Sequence, residues 1–284
     1  MRLLFIINPG SGNEEVSYKD LIREHFKSSE TDTIIYELPK KCALDQIKGV
    51  IGEANPDRVV AVGGDGTLKL VAECLIGTDI PIAIIPAGSA NGMAKELGIS
   101  LDITEALNTV LTGKPTKIHA ITVNGELCIH LADIGFNAYI VKKFSSLDHM
   151  GMWGYTKAAW SALWNHRKME VEFNIKGKTI QSEAAMVVIA NATMYGTGLK
   201  INPKGKLDDD VFEIVLVKKY SVIEILKMRF TKMALNPDNI ELFQTTNLKI
   251  KTKHKAHFQV DGEYLGKVNK VEAKIITESI CIVV

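Results

Sequence analysis

The sequence contains no apolar run approaching the roughly 18 residues that a membrane-spanning helix needs. Its apolar start, Leu3 to Ile7, stops at Asn8-Pro9-Gly10 and is too short for a signal-peptide core. The 4 cysteines, Cys42, Cys74, Cys128 and Cys281, form no Cys-x-x-Cys pair and no metal-ligand spacing. That excludes a disulfide framework and leaves them as small apolar residues of a reducing compartment. The expectation is a cytoplasmic protein whose membrane contact is peripheral. Net charge is also scarce: 34 Lys and Arg against 33 Asp and Glu give +1, which excludes polyanion binding by bulk charge, so no nucleic-acid partner is expected. Internal repeats, low-complexity tracts and long linkers are absent as well.

What is present is an ordinary globular composition, 46% hydrophobic and 24% charged, over 284 residues. That length suggests two domains and a core that needs no staple. Charge divides along the chain. Up to Lys117 there are 12 basic and 16 acidic residues, net −4, and the remaining 22 against 17 give +5. Two parts with different electrostatic work are implied.

In the first part short apolar runs alternate with helix-like stretches. Strands are expected at Leu3–Ile7, Thr33–Leu38, Arg58–Val62 and Ile80–Ile85. Helices are expected at Val16–Phe26, Ala43–Ala54, Leu68–Leu75 and up to Leu97. This order predicts an α/β, doubly wound parallel-sheet domain over 1–118. Ligands of such sheets bind beyond the carboxyl ends of the strands. Over 119–284 strands follow one another, predicting a C-terminal antiparallel β-sandwich domain, with the last strand free to return to the first domain. Ile118–Val123, Asn124-Gly125 and Leu127–Ile134 read as one hairpin, and Met169–Ile175 with Thr179–Ala190 as another. Further strands are expected at Val211–Val217, Leu248–Lys253, His257–Val260, Val271–Ile276 and Ile280–Val284, with helices at 137–148, 153–166 and 221–235.

Three loops fall at the carboxyl ends of the first domain's strands. Asn8-Pro9-Gly10-Ser11-Gly12 lets backbone N–H groups approach an anion, though a strand-to-helix turn alone also asks for glycine. It lacks the Gly-Lys-Ser/Thr ending of a Walker A loop. Gly63-Gly64-Asp65-Gly66-Thr67 has one glycine more than a turn needs and an acidic group at the strand end, which suits a nucleotide phosphate and its Mg²⁺. Its bland reading makes Asp65 a turn residue and Thr67 an N-cap. Pro86-Ala87-Gly88-Ser89-Ala90-Asn91 repeats the pattern. Three such loops at one sheet edge are hard to ascribe to coincidence.

This loop set resembles the lipid kinases of the diacylglycerol kinase catalytic-domain family, bacterial diacylglycerol kinases and sphingosine kinases among them. The resemblance extends through Lys206-Leu-Asp-Asp209 and Val260-Asp-Gly-Glu-Tyr264 over essentially the whole chain. It implies ATP between an α/β domain and a β-sandwich domain, with Asn8, Pro9, Gly10, Ser11 and Gly12 at its phosphates. Gly63, Gly64, Asp65, Gly66 and Thr67 would hold the nucleotide and Mg²⁺, with Asp65 essential to transfer and Ser89 and Asn91 alongside. The base would belong to the Asp261/Glu263 pair. Two carboxylates at i, i+2 on a strand point to one face, so one can accept a proton while the other orients it; a β-turn at Asp261-Gly262 is the alternative. A structural Mg²⁺ would be held by the Asp209 carboxylate and the carbonyls of Lys206 and Val211, oxygens suited to a hard cation; an acidic solvated turn is the alternative. The chain departs from the family pattern at Leu38, Ser89, Gly92 and His119, where threonine, threonine, aspartate and aspartate are usual. The loss of an aspartate at His119 puts a metal–water network in question, for which Asp133 on the neighbouring strand is a substitute.

The implied reaction is ATP-dependent phosphorylation of a lipid hydroxyl at a membrane surface, diacylglycerol to phosphatidic acid. Alternatives are a sphingoid-base kinase, an NAD kinase, which shares Gly-Gly-Asp-Gly-Thr, and a catalytically weak nucleotide- or lipid-binding module. Assembly as a homodimer is compatible with the sequence. For the lipid, Met150, Met152, Trp153, Trp160 and Trp164 offer an aromatic face, more commonly core packing. Lys249, Lys251, Lys253 and Lys255 alternate along a strand as attraction for headgroups or as a plain solvated face.

Overall fold

The computed structural model describes residues 1–11, 17–145, 168–175, 177–195, 198–231 and 233–284. Gly12, the helix expected at 153–166 and the Met150–Trp164 cluster therefore lie outside the described residues. The chain divides into two units, Met1–His119 with Thr277–Val284, and Ala120–Ile276.

The first unit runs β1 (Arg2–Ile7), α1 (Tyr18–Phe26), β2 (Asp32–Glu37), α2 (Leu44–Ala54), β3 (Arg58–Gly63), α3 (Asp65–Leu75), β4 (Ile82–Pro86), α4 (Gly92–Glu96) and α5 (Ile103–Thr112). Strands β1, β3 and β4 are almost wholly apolar because both faces are covered, as a parallel sheet with crossover helices requires, while the edge strand β2 is only half-buried. Leu3, Phe5, Val60, Val62, Ala83 and Ile85 face α1 and α5 through Ile22, Phe26, Ala106, Leu107 and Val110. Phe5 and Phe26 meet edge to face at 5.6 Å. All pairings are parallel, in the order β4-β3-β1-β2. Order therefore reverses between β1 and β3, and the connections leaving them diverge and open a crevice at their carboxyl ends. This is the doubly wound sheet expected. Helix α3 begins at Asp65 rather than Leu68, because Gly64 is already extended and its carbonyl accepts the first helical N–H groups, from Thr67 and Leu68.

The second unit is antiparallel throughout, as expected of a β-sandwich. It contains the distal part of β5 (Pro115–Val123), β6 (Glu126–Cys128), β7 (Leu131–Gly135), α6 (Phe136–Ser145), β8 (Met169–Ile175), β9 (Lys178–Ala184), β10 (Met186–Ala190), β11 (Phe212–Val217), α7 (Val222–Phe230), β12 (Ile240–Thr245), β13 (Asn247–Val260) and most of β14 (Glu263–Val283). Strand alternation sorts its side chains. Val187 and Ile189 of β10 enter the sandwich interior with Phe173, Phe212 and Phe258. Met186, Val188 and Ala190 face the other way, under Met228 of α7.

Three expectations need correction. The Asn124-Gly125 turn forms, with φ of 52° and 89°, but the strand after it breaks, and β7 pairs with β10 and β13 instead of β5. The Asp261 carboxylate takes the N–H groups of Ile129, His130 and Leu131, which ends the ladder there. The run Thr179–Ala190 is likewise two strands. Conversely, the four strands expected after 247 are two long ones, continuous because bulges between Lys251 and Ala256 and between His257 and Gln259 absorb the mismatch.

Candidate functional site

In the first unit the three glycine loops are tied to one another. Asn8 closes its own turn by accepting from the Gly10 N–H (3.1 Å) and donates from Nδ2 to Thr67 Oγ1 (3.2 Å). Its backbone N–H bonds the Val62 carbonyl (3.0 Å), so the β1 and β3 loops meet at the switch point. A Cβ on Gly63 would overlap the Thr67 side chain, and one on Gly88 would overlap the Cα of Gly64. These two glycines are needed because backbone meets neighbour with no room between. The Asp65 carboxylate accepts from Gly92 N–H and Met93 N–H, both at 2.9 Å, and fastens the start of α4 to the start of α3. Asn91, at φ 49°, accepts from Gly88 N–H (2.8 Å) and donates to its carbonyl (2.7 Å). Asn91 thus shapes the third loop from within. Ser89, Pro9 and Gly10 are exposed on the loops, Gly66 is exposed in the first turn of α3, and Ser11 is half-buried. Leu38 is buried, its N–H on the Ile7 carbonyl, and His119 is buried with Nδ1 accepting from Glu278 N–H (2.7 Å). His119 therefore carries its proton on Nε2 when neutral.

Sequence reading passed over Lys69. It sits one turn into α3 from Asp65, is 7% exposed, and its Nζ makes no hydrogen bond. A long helical side chain leans toward the preceding turn, here Gly63–Gly66. Burying an ammonium group without a partner is costly unless a ligand supplies the anion. The only sequence signal was a lysine in an otherwise apolar stretch.

In the second unit the expected carboxylate pair takes a different form. Val260 pairs with Glu263, so Asp261 and Gly262 are the two residues of a tight hairpin turn, with φ of 49° and 86°. They are not successive same-face positions of a strand, and the two carboxylates part. That of Asp261 accepts from Ile129 (3.0 Å), His130 (3.0 Å) and Leu131 (3.1 Å) N–H groups. The turn is braced again through Gln259, whose Oε1 accepts from Gly262 N–H (2.7 Å) and whose Nε2 donates to Asp133. Glu263 is left exposed at the head of β14.

Asp133 does not take the metal-network place offered to it. It is fully buried and also accepts from Asn137 Nδ2 (2.6 Å), Ala138 N–H (2.9 Å) and Tyr195 OH (3.3 Å), which leaves no room for a cation. Burial pushes its carboxyl up to about 6, against the opposing pull of those hydrogen bonds. The folded state thus holds this proton more tightly than the unfolded chain. Its stabilising contribution is complete below about pH 4 and is lost as pH rises through about 6. Urea titrations of wild type and Asp133→Asn should show a stability difference that moves by about 3 kcal/mol in the mutant's favour between pH 4 and pH 7. A flat difference would show that the carboxyl titrates normally.

The loop before β11 carries Lys206, Asp209 and Val211. Asp209 lies near Glu213, a buried carboxyl raised chiefly by burial. Glu213 accepts from Asn202 Nδ2 (2.7 Å) and Gln244 Nε2 (2.9 Å). The Oδ1 of Asn202 is buried without a hydrogen-bond partner. Asn202 Oδ1 and the Asp209 carboxylate are oxygen donors of the kind a hard cation takes, while both Glu213 oxygens are already engaged by amide groups. Among the described residues no cluster of three His, Cys, Asp or Glu side chains is placed to hold a metal. The Lys249–Lys255 stripe is exposed, with Lys249 paired to Glu272 (3.1 Å) and Lys253 to Glu170 (2.7 Å). Among the described residues no helix is long and apolar enough to cross a membrane.

Comparison with known proteins agrees along the chain. Residues 2–123 match the diacylglycerol kinase catalytic domain, and residues 132–284 match the YegS C-terminal NAD kinase beta sandwich-like domain. A diacylglycerol kinase of Bacillus subtilis is 28% identical over 281 residues, 93% of this chain and 90% of that protein. A Chromohalobacter salexigens protein named probable lipid kinase YegS-like is 25% identical over 220 residues, 74% of this chain and 71% of that one. A crystal structure described as a diacylglycerol kinase from Bacillus anthracis superposes with a TM-score of 0.76 at 18% identity, covering 99% of this chain and 96% of that one. At that identity the last likeness speaks for the fold alone.

Proposed function

Because this chain belongs to the diacylglycerol kinase catalytic-domain family of lipid kinases, we propose that it transfers the γ-phosphoryl group of ATP to the hydroxyl of diacylglycerol, giving phosphatidic acid. The observation that carries this reading is the fastening of three glycine loops at the switch point of the parallel sheet. Phosphoryl transfer asks mainly for positioning and charge neutralisation. The loops offer backbone N–H groups and the start of α3 to the phosphates, and Asn8, Asp65 and Thr67 hold them in place. Mg²⁺, when bound, neutralises charge on the phosphates. A second, structural Mg²⁺ would rest on Asp209 and the carbonyls of Lys206 and Val211. Glu263 is the base that takes the proton of the attacking hydroxyl, while Asp261 positions the turn that carries it. The lipid is met peripherally, at the membrane surface.

Lys69 supplies the remaining positive charge. Lys69→Met should lower kcat or ATP affinity by about 10–100-fold, the loss of one charge-assisted contact. The same change should leave unfolding free energy equal or raise it by about 1–3 kcal/mol, since an unpaired buried charge is gone. Isothermal titration with ATP and a urea melt measure the two. Full activity, or a large loss of stability, would remove Lys69 from this role.

The reading is tested by labelled ATP against diacylglycerol, sphingosine and NAD in one panel. Transfer to diacylglycerol is expected. Preferred transfer to sphingosine or NAD would move the assignment to that substrate, and nucleotide binding without transfer would sink it.

A further inference from the structure

Helix α7 shows an apolar side to solvent. Val222 is 44% exposed, Ile223 65%, Leu226 50% and Phe230 75%, and Met233 just beyond is 66% exposed. At about 100° per residue the four helix positions fall within a stripe about 100° wide. Lys227 and Arg229 lie on its two borders, about 40° and 20° outside it. The opposite side is anchored by Met228 in the core and by Glu224, only 2% exposed. Glu224 is the one acid between Lys218 and Arg229, and it is turned inward, accepting from Lys227 Nζ (2.9 Å) and Asn236 N–H (3.1 Å). Arg229 is exposed, with its guanidinium over the Phe230 ring at 5.9 Å, and Lys219 is exposed on the approach to the helix.

We propose that this side of α7 docks on an anionic lipid surface, with Ile223, Leu226 and Phe230 entering the headgroup boundary and the exposed Lys219 and Arg229 meeting the phosphates. An apolar stripe between cations on an otherwise anchored helix is the arrangement of an in-plane interfacial helix. Long basic side chains at the borders keep their charge at headgroup level while their stems follow the apolar face. A second copy of the chain fits less well. A symmetric contact through this side would bring its cations against their own copies, with no exposed acid on the helix to answer them. The proposal is independent of which substrate is phosphorylated.

The test is flotation of the full chain with vesicles of phosphatidylcholine alone or mixed with phosphatidylglycerol. The protein should bind the mixed vesicles, and added salt should weaken that binding. Leu226→Ser/Phe230→Ser should lower binding about tenfold or more, and Phe230→Leu should largely retain it. Arg229→Gln and Lys219→Gln should each cost about fivefold at low salt. Thermal melts confirm that these surface variants fold. Phosphorylation of a detergent-dispersed short-chain diacylglycerol should be unchanged in the serine variant, so failure of the kinase reading and failure of the docking site register separately. Equal flotation of wild type and the serine variant would overturn the proposal. So would a wild-type dimer that the same variant splits while vesicles capture neither form.

Discussion

Glu263→Gln lowers kcat by about 10²–10⁴-fold, the usual contribution of a positioned general base, and leaves the melting temperature where it was. The side chain is exposed at the start of β14, so its replacement by an isosteric amide disturbs no packing. The amide cannot accept the hydroxyl proton. The affinity for ATP should be unchanged, since Asn8, Asp65 and Thr67 order the three glycine loops without it. Single-turnover transfer with saturating ATP, beside equilibrium nucleotide binding, separates the two quantities. A variant that binds ATP normally and still transfers at the wild-type rate would take the base away from Glu263. Comparison with Asp261→Asn sharpens the result: if Asp261 only positions the turn, that variant keeps more activity than Glu263→Gln.

Asp261→Ala should destabilise the second unit by about 3–5 kcal/mol in urea titration. One carboxylate serves three backbone N–H groups at 3.0, 3.0 and 3.1 Å, all partly buried. Hydrogen bonds to a charged acceptor are worth about 1.5–3 kcal/mol each, and water recovers part of the loss. The residue also sits at φ 49°, where aspartate is tolerated and alanine adds about 1 kcal/mol. Asp261→Asn keeps one oxygen and should lose about half as much. Its amide nitrogen cannot accept, so at least one of the three N–H groups stays unpaired. Equal stability of all three proteins would mean that the β6–β7 connection is held by something else.

The three glycine loops were legible in the sequence because they are local. Gly63-Gly64-Asp65-Gly66-Thr67 follows a β-branched run and precedes a helical pattern, and each of those signals lies within about ten residues. The Asp261/Glu263 pair was legible as chemistry and misread as geometry. An i, i+2 spacing shares a face only while the chain stays extended, and Asp-Gly is also a strong signal for a hairpin turn. Asp133 was misread for a different reason. Its four donors come from α6, β13 and the loop at Tyr195, which no spacing rule connects. The exposed side of α7 was written in its period, but the same pattern describes a buried helix, and exposure alone tells them apart.

The sequence by itself determined the alternation of strands and helices, the glycines where backbone must approach backbone, and the oxygen-rich loop before β11. These follow from steric and hydrogen-bonding preferences that act over a few residues. Tertiary structure alone decided that Asp65 braces α4, that Asp261 ends a ladder while Glu263 stays free, that Asp133 is closed to metal, and that Lys69 is buried without an anion. Each depends on partners distant in sequence, and a carboxylate or ammonium takes its role from the donors and the solvent around it.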